Sequence, residues 1–261
     1  MLTYFRNSFL ERIVKSNPLL LVLTIKLIDR FKFFFLPYES EWNFFRHTKI
    51  NKKEIILDIG SHSGESIYLF SKYYPENKIY SFEPIDFLYK KIVKNFKNKN
   101  LKVFNYGFSD KKENKIFFPV VNNNPLTLWA ASSKKKLIER LNEYTYIKNF
   151  KIISKKVKYK KIFETKHKVA IIKIDVEGYE HVCLNCLKKI IKRDKPMLFI
   201  EYNRENSKLT NMFMKKNKYK CYYFDQNTKK TIKVNNVKNF SKKINREKRA
   251  LNFLYSVEKL I

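Results

Sequence analysis

The sequence has 261 residues, of which 44% are hydrophobic and 16% aromatic. This length and composition suit one α/β domain with extensions, or two small domains, and exclude a disordered chain. The net charge of +32 suggests an anionic partner, but only nine of the 56 basic residues are Arg, the side chain that phosphate and base recognition favours. The lysine excess therefore indicates codon bias more than a dedicated nucleic-acid binder. Three cysteines do not make a disulfide framework, which predicts a reducing compartment such as the cytoplasm.

The N-terminal region contains an apolar stretch, residues 18–36. Charged residues interrupt it, and its longest uncharged run, 16–25, has ten residues, whereas a membrane-spanning helix needs about 20. No small-residue cleavage site follows, so a signal peptide is not predicted either. An amphipathic helix lying on the domain is the favoured interpretation, and a helix lying on a membrane surface is the alternative. Residues 1–50 are accordingly predicted as a helical extension of a domain that spans 51–261.

Apolar runs typical of strands alternate with segments of helical spacing, which predicts a doubly wound sheet. The segment 111–168 is less orderly and is assigned to the substrate region: 134–144 predicts a polar helix, and 157–163 an edge strand leading into a short helix. The predicted core strands are 55–59, 78–82, 101–106, 169–175 and 196–200, with further strands at 219–224 and 252–257 and helices from Ser66 to the break at Pro75 and at about 86–96, 180–193 and 207–217.

Only four glycines are present, and each follows an apolar run. Two of them, Gly60 and Gly64, lie in the loop Asp58-Ile-Gly-Ser-His-Ser-Gly after the first strand. Such a loop lets backbone N–H groups and the next helix approach a ligand. It lacks the G-x-G-x-x-G pattern of NAD enzymes and the Gly-Lys-Ser/Thr ending of phosphate loops. Asp58, just before the first glycine, suits a cofactor that carries an ammonium group.

A single carboxylate, Glu83, ends the second strand, 19 residues after Gly64. An acidic residue at this position accepts hydrogen bonds from the ribose hydroxyls in dinucleotide-binding proteins. Taken alone, an exposed turn carboxylate is the alternative. Together with the preceding glycine loop, ribose binding is the favoured interpretation.

The segment Asp175-Val-Glu-Gly places two carboxylates, Asp175 and Glu177, at the end of the fourth core strand. Carboxylates there can orient a nucleophilic hydroxyl, accept its proton or hold a divalent cation. The alternative is capping of the helix that follows. Asp175 and Glu177 are the predicted catalytic residues, and the pattern favours Asp175 more than Glu177.

A C-x-x-C pair, Cys183 and Cys186, lies inside the predicted helix 180–193. A zinc site would need further ligands at matching spacing, and a redox pair would normally open a helix. We therefore predict structural thiols on or beside the buried face of the helix, and no metal site.

The runs IILDIGSHSGES, SFEP, GFSD, IIKIDVEGYE and PMLFIEYN occur in this order over residues 50–203 and resemble the FkbM family of methyltransferases. The closing run NFLYSV resembles the last strand of the family. The resemblance implies a Rossmann-like α/β fold, mostly parallel with an antiparallel C-terminal strand, here with added N-terminal helices. It also implies methyl transfer from S-adenosyl-L-methionine, usually to a hydroxyl of a sugar or another small metabolite.

The resemblance also implies which residues hold the cofactor. His62 departs from the family, which typically has Asn there, and one tautomer of His can replace the donor and acceptor of Asn. The resemblance places Asp58, Gly60 and Gly64 at the methionine end of the cofactor, and it implies that Ser61 and His62 bind the cofactor from the same loop. It implies that Glu83 binds the ribose and that Ser109 and Asp110 approach the adenine. Asp175 is implied to face the reacting centre.

The expected partner is a small-molecule or glycan acceptor. Its pocket is expected in 111–168 and the N-terminal helices. Ordinary packing is the favoured interpretation of Trp129, and a lid or sugar-stacking surface is the alternative. Mg²⁺ would acidify the acceptor hydroxyl, but nothing in the spacing requires it. Two other functions stay open: an RNA methyltransferase that uses the basic insert and tail, and a non-catalytic binding protein on the same fold.

Overall fold

A computed structural model describes residues 17–31, 33, 37, 40–127, 130–131, 133–144, 150–202, 207–225, 228–244 and 251–259. Backbone contacts divide the chain into two units, Met1–Tyr38 with Glu113–Val157 and Glu39–Lys112 with Lys158–Ile261. The elements are helices α1 (Pro18–Phe31), α2 (Glu65–Tyr73), α3 (Asp86–Asn95), α4 (Lys134–Tyr144), α5 (Glu180–Cys186), α6 (Lys188–Asp194), α7 (Ser207–Lys216) and α8 (Val237–Ile244), a 3₁₀ helix (Ser40–Arg46), and strands β1 (Ile55–Ile59), β2 (Lys78–Phe82), β3 (Leu101–Phe104), β4 (Gly107–Phe108), β5 (Glu113–Val121), β6 (Asn124–Pro125), β7 (Lys151–Lys160), β8 (Val169–Ile174), β9 (Met197–Glu201), β10 (Lys220–Asp225), β11 (Lys230–Val234) and β12 (Asn252–Ser256).

The second unit is built on a sheet with the strand order β11-β10-β12-β9-β8-β1-β2-β3. β1 pairs in parallel with β2 and β8, and the ladders β2–β3 and β8–β9 are also parallel. β12 runs antiparallel to both β9 and β10, and β11 is antiparallel to β10. The predicted Rossmann-like fold, a mostly parallel sheet with an antiparallel C-terminal strand, is confirmed.

The central strands are mostly apolar because both faces of the sheet are covered, as parallel sheets require, and Asp58 of β1 and Lys173 of β8 are charged exceptions. All five residues of β1 are buried. Trp42 of the 3₁₀ helix packs edge-on against Phe70 and Phe199, with ring centroids 5.1 and 4.9 Å apart. This packing fixes the strands whose carboxyl ends form the site described below.

The first unit has its own hydrophobic cluster. Leu21 and Val22 of α1 are buried there, and the other buried members come from β5, from α4 and from the segments between them: Val121, Leu126, Ala131, Leu137 and Leu141. Within the described residues, no helix is both long and apolar enough to cross a membrane.

Several elements differ from the sequence prediction. The helix predicted over 180–193 is two helices, α5 and α6, which meet at the buried Leu187. β7 begins six residues earlier than predicted, at Lys151, and the described residues 161–168 contain no helix. β11 and α8 were not predicted. Trp129 lies outside the described residues, and the distinct roles of 1–50 and 111–168 stay predictions.

Candidate active site

The order of the strands reverses between β1 and β8, and ligands of open α/β sheets bind in the crevice at the carboxyl ends of the strands on either side of such a point. Backbone hydrogen bonds join the predicted site segments at this edge. Gly60 N–H donates to the carbonyl of Phe82 over 3.0 Å, and Asp175 N–H donates to the carbonyl of Ile59 over 3.1 Å. The residues after β1, β2 and β8 therefore form one cluster.

Gly60 makes the close approach of the loop to β8 possible. Its φ is +81°, in the left-handed region, and a Cβ there would lie 1.9 Å from the backbone oxygen of Asp175. Any other residue would collide with that carbonyl. Ser61 is buried next to it, and its hydroxyl donates to the carbonyl of Phe82 over 3.3 Å. Gly64, with φ +95°, ends the loop before α2.

Both carboxylate oxygens of Glu83 are held by backbone donors. Oε2 accepts from the N–H of His62, and Oε1 accepts from the N–H of Ile85, each over 2.8 Å. Burial raises the pKa of Glu83 to about 8, although both backbone bonds oppose the rise. The glycine loop and the carboxylate predicted to bind ribose are thus in direct contact, and the carboxylate plane is fixed.

The backbone of His62 explains why Asn and His both suit this position. Its φ is +49°, a left-handed conformation in which Asn, Asp and His are enriched among residues other than glycine. That conformation accompanies the N–H bond to Glu83. The imidazole Nδ1 lies 3.0 Å from the hydroxyl of Ser63.

Asp58 is fully buried beneath the loop. Its Oδ2 accepts from the hydroxyls of Ser66 and Ser81 over 2.8 and 3.3 Å. Its Oδ1 accepts no hydrogen bond among the described residues, and the ammonium of Lys173 lies 3.7 Å away. Burial raises the pKa of Asp58, against the opposing charge of Lys173.

Lys173 is a site residue that the sequence analysis missed. It is 5% exposed on β8, directly opposite Asp58 in the β1–β8 ladder. Its ammonium donates to the carbonyl of Gly60 over 2.6 Å and lies 3.3 Å from Oδ2 of Asp175. Burial lowers the pKa of Lys173, but the charges of Asp175 and Asp58 outweigh burial and raise this pKa above its ordinary value. A single lysine in the apolar run 169–174 was the signal that could have identified it.

Asp175 and Glu177 both lie beyond β8, but in different settings. The side chain of Asp175 is 40% exposed, so it stays within reach of a ligand while Lys173 holds it. Glu177 is exposed, with a left-handed φ of +55°. The loop is held instead by the buried Glu180, whose Oε1 accepts from the N–H groups of Gly178 and Val176 over 2.9 and 3.4 Å.

Glu201, at the end of β9, extends this acidic group and was not singled out in the sequence analysis. Burial, together with the charges of Asp175 and Glu177, raises the pKa of Glu201 well above its ordinary value. A protonated Glu201 can donate a hydrogen bond to a neighbouring carboxylate. Glu201 therefore belongs to the same acidic group as Asp175 and Glu177.

Ser109 and Asp110 follow β4. The N–H of Ser109 donates to the carbonyl of Lys160 over 3.2 Å, and its hydroxyl donates to Oδ1 of Asp110 over 3.1 Å. This part of the chain is linked to Glu83 by Asn105, whose side-chain amide donates to the backbone carbonyl of Glu83 over 3.1 Å. Contact of Ser109 and Asp110 with an adenine stays a prediction.

The remaining candidates lie outside this cluster. Cys183 and Cys186 are free thiols inside α5. Cys183 is buried, its Sγ lies 3.8 Å from the carbonyl of Phe108, and burial raises the pKa of this thiol well above the ordinary value.

A cavity of about 500 Å³ runs along β2 and β3. Tyr80, Phe104 and Lys160 are among the residues that line it, and none of the predicted site residues lines it. In the described ranges, no group of three or more His, Cys, Asp or Glu side chains could hold a metal ion.

The comparison with known families agrees with this geometry. The family model of the methyltransferase FkbM domain matches residues 58–247, most of the chain. The chain belongs to the FkbM methyltransferase family. The match begins at Asp58 and includes the glycine loop, Glu83, Lys173 and the residues beyond β8 and β9. No curated protein matches the sequence.

Several solved structures are similar to this FkbM chain. A methyltransferase FkbM from Methylobacillus flagellatus shares 15% identity over 86% of this chain and 47% of its own, with a TM-score of 0.47, so the chain spans about half the length of that protein. An S-adenosylmethionine-dependent O-methyltransferase from Thermotoga maritima shares 9% identity over 87% and 68%, with a TM-score of 0.44. TYW2 from M. jannaschii, solved with AdoMet, shares 9% identity over 85% and 78%, with a TM-score of 0.40.

Proposed function

We propose that this protein transfers a methyl group from S-adenosylmethionine to a hydroxyl of a sugar, a glycan or a small metabolite. The observation that carries the proposal is the fixed carboxylate of Glu83. Each of its oxygens uses one lone-pair direction for a backbone N–H and, when the carboxyl group is ionised, keeps acceptor capacity for a second donor. A ribose diol presents two such donors.

The residues at the strand ends fit the other polar part of this cofactor. Asp58 has a buried Oδ1 that accepts no hydrogen bond among the described residues. A carboxylate short of a donor suits an ammonium group, directly or through water. When bound, S-adenosylmethionine supplies a methyl group on a positively charged sulfur, so the protein itself mainly has to position the acceptor and remove its proton.

We assign that positioning to Asp175, with Glu177 as a second carboxylate beside it. Asp175 is partly exposed, and its Oδ2 lies 3.3 Å from the ammonium of Lys173. This ion pair holds the carboxylate of Asp175 in place, where it can orient an acceptor hydroxyl and take its proton. Glu177 is exposed beyond the same strand, where it can contact the acceptor or its leaving proton.

The test combines binding and turnover. Calorimetry with S-adenosylhomocysteine is expected to detect binding to the wild type and to Asp175→Ala, and no binding to Glu83→Ala. Incubation with labelled S-adenosylmethionine and sugar-bearing extracts is expected to label a sugar-containing product with the wild type, and none with Asp175→Ala. Full activity of both variants would contradict the site assignment.

The same incubation distinguishes the alternative functions. Labelling of RNA alone, with an affinity that falls steeply with salt, would replace the small acceptor by RNA. Failure of the folded wild type to bind S-adenosylhomocysteine would identify a non-catalytic protein on this fold.

A further inference from the structure

α1 is apolar on two faces, and among the residues that the structure describes one face is buried and the other is largely exposed. On one face Leu21 and Val22 are buried in the cluster of the first unit, with Ile25 packed beside them. The other face carries the apolar stripe, which we define as Leu19, Leu23, Leu27 and Phe31. Their exposures are 62, 53, 60 and 42%. Four large apolar side chains at successive spacings of four residues form a continuous row along one side of a helix.

Two basic residues flank the apolar stripe. Lys26 and Arg30 are both exposed. They lie one turn apart on α1, at the edge of the apolar stripe. The guanidinium of Arg30 lies 5.8 Å from the ring centroid of Phe31, so the cation stays next to the apolar surface that it borders. An exposed apolar row with lysine and arginine at its margin is typical of helices that lie in the interface of a membrane.

We propose that α1 docks this protein on the surface of an anionic lipid bilayer, with the apolar stripe at the level of the acyl chains and Lys26 and Arg30 at the head groups. Charge complementarity decides the occupant: the chain carries a net charge of +32, which opposes association with a second copy of itself and favours an anionic surface. The helix spans 14 residues, about 21 Å, which fits a helix lying flat rather than one crossing the hydrocarbon.

Two contributions to membrane binding are present together in a strongly basic protein. General positive charge attracts any anionic surface and is screened by salt. Insertion of the apolar stripe adds a part that salt does not remove. A test must therefore compare variants of equal charge.

The experiment measures co-sedimentation of the full chain with vesicles made of equal parts phosphatidylcholine and phosphatidylglycerol. The test variant is Leu19→Gln/Leu27→Gln. Its matched control is Leu209→Gln/Met212→Gln, which makes the same change at two exposed apolar positions of α7, 47 and 58% exposed. All four positions are exposed and Gln favours helices, so both variants should fold as the wild type does, which circular dichroism checks.

The partition coefficient of the stripe variant is expected to be at least about tenfold below that of the wild type, and that of the control variant unchanged. Lys26→Gln/Arg30→Gln should lower it by roughly fivefold for each charge removed. Equal binding by the stripe and control variants would overturn the proposal and leave only non-specific charge. A wild-type dimer in light scattering that becomes monomeric in the stripe variant, without vesicle binding, would overturn it in favour of self-association.

Discussion

Replacing Glu83 with Gln removes a buried carboxyl group while keeping its size. Burial raises the pKa of Glu83 from 4.5 to about 8, so over this interval the folded protein holds a proton that the unfolded chain has released. A raised folded-state pKa contributes stability that is fully present below the unfolded value and is lost as the pH rises through the folded value. Between about pH 5.5 and 8 this loss amounts to about 3 kcal/mol in the free energy of unfolding. Glu83 is only 4% exposed, so solvent screens little of it.

The assay is urea unfolding of the wild type and of Glu83→Gln at both pH values. Between them the wild type is expected to lose about 3 kcal/mol more than the variant. Gln leaves one of the two backbone N–H groups without an acceptor, which costs about 1–3 kcal/mol at either pH and does not affect the difference. Asp58 and Glu180, whose pKa values burial also raises, are common to both proteins and cancel. Equal pH dependence in the two proteins would refute the reasoning.

Four further substitutions, at three positions, test the loop and its buried lysine. Gly60→Ala puts a Cβ 1.9 Å from the carbonyl of Asp175 and should lower the free energy of unfolding by several kcal/mol or prevent folding, measured by thermal melting; a melting temperature equal to that of the wild type would contradict the close approach. His62→Asn should stay within about 0.5 kcal/mol of the wild type in urea unfolding, whereas His62→Val should lose about 1–2 kcal/mol because β-branched residues disfavour the left-handed region; equal losses would contradict it. Lys173→Met should cost about 3–5 kcal/mol at neutral pH by leaving Asp58 and Asp175 without their cation, and the cost should fall as the pH is lowered, because burial raises the pKa of Asp58 and a protonated Asp58 needs no cation; a cost independent of pH would argue against the ion pairs.

Much of the core could be predicted because its strands are buried on both faces and read as apolar runs. The carboxyl ends of parallel strands meet at one edge, so residues that end separate runs, such as Glu83 and Asp175, lie at the same edge of the sheet. β7 and β11 were harder to predict because they are rich in lysine. In β7 only Val157 is buried, so the alternation that predicts a half-buried strand is missing.

Neither the bonding partner of Lys173 nor the burial of Glu180 could be predicted from local patterns in the sequence. Lys173 donates a hydrogen bond to the carbonyl of Gly60, 113 residues earlier in the chain. No pattern near either residue in the sequence predicts this contact. Glu180 resembled an ordinary first-turn acid of a helix, yet its carboxylate is 1% exposed and holds the preceding loop. The contact of Lys173 depends on which strands become neighbours, and a one-dimensional pattern does not contain that information.

The long separation between Gly60 and Lys173 also bears on how the chain can change during evolution. The connection between them includes residues 113–157, which belong to the other unit. The entropy of closing a loop grows only with the logarithm of its length, so doubling such a connection costs roughly 0.6 kcal/mol. Insertions or deletions in 113–157 therefore have little effect on the closure that joins β1 to β8. We therefore expect that this segment can change in length while Lys173 and the glycine loop stay in contact.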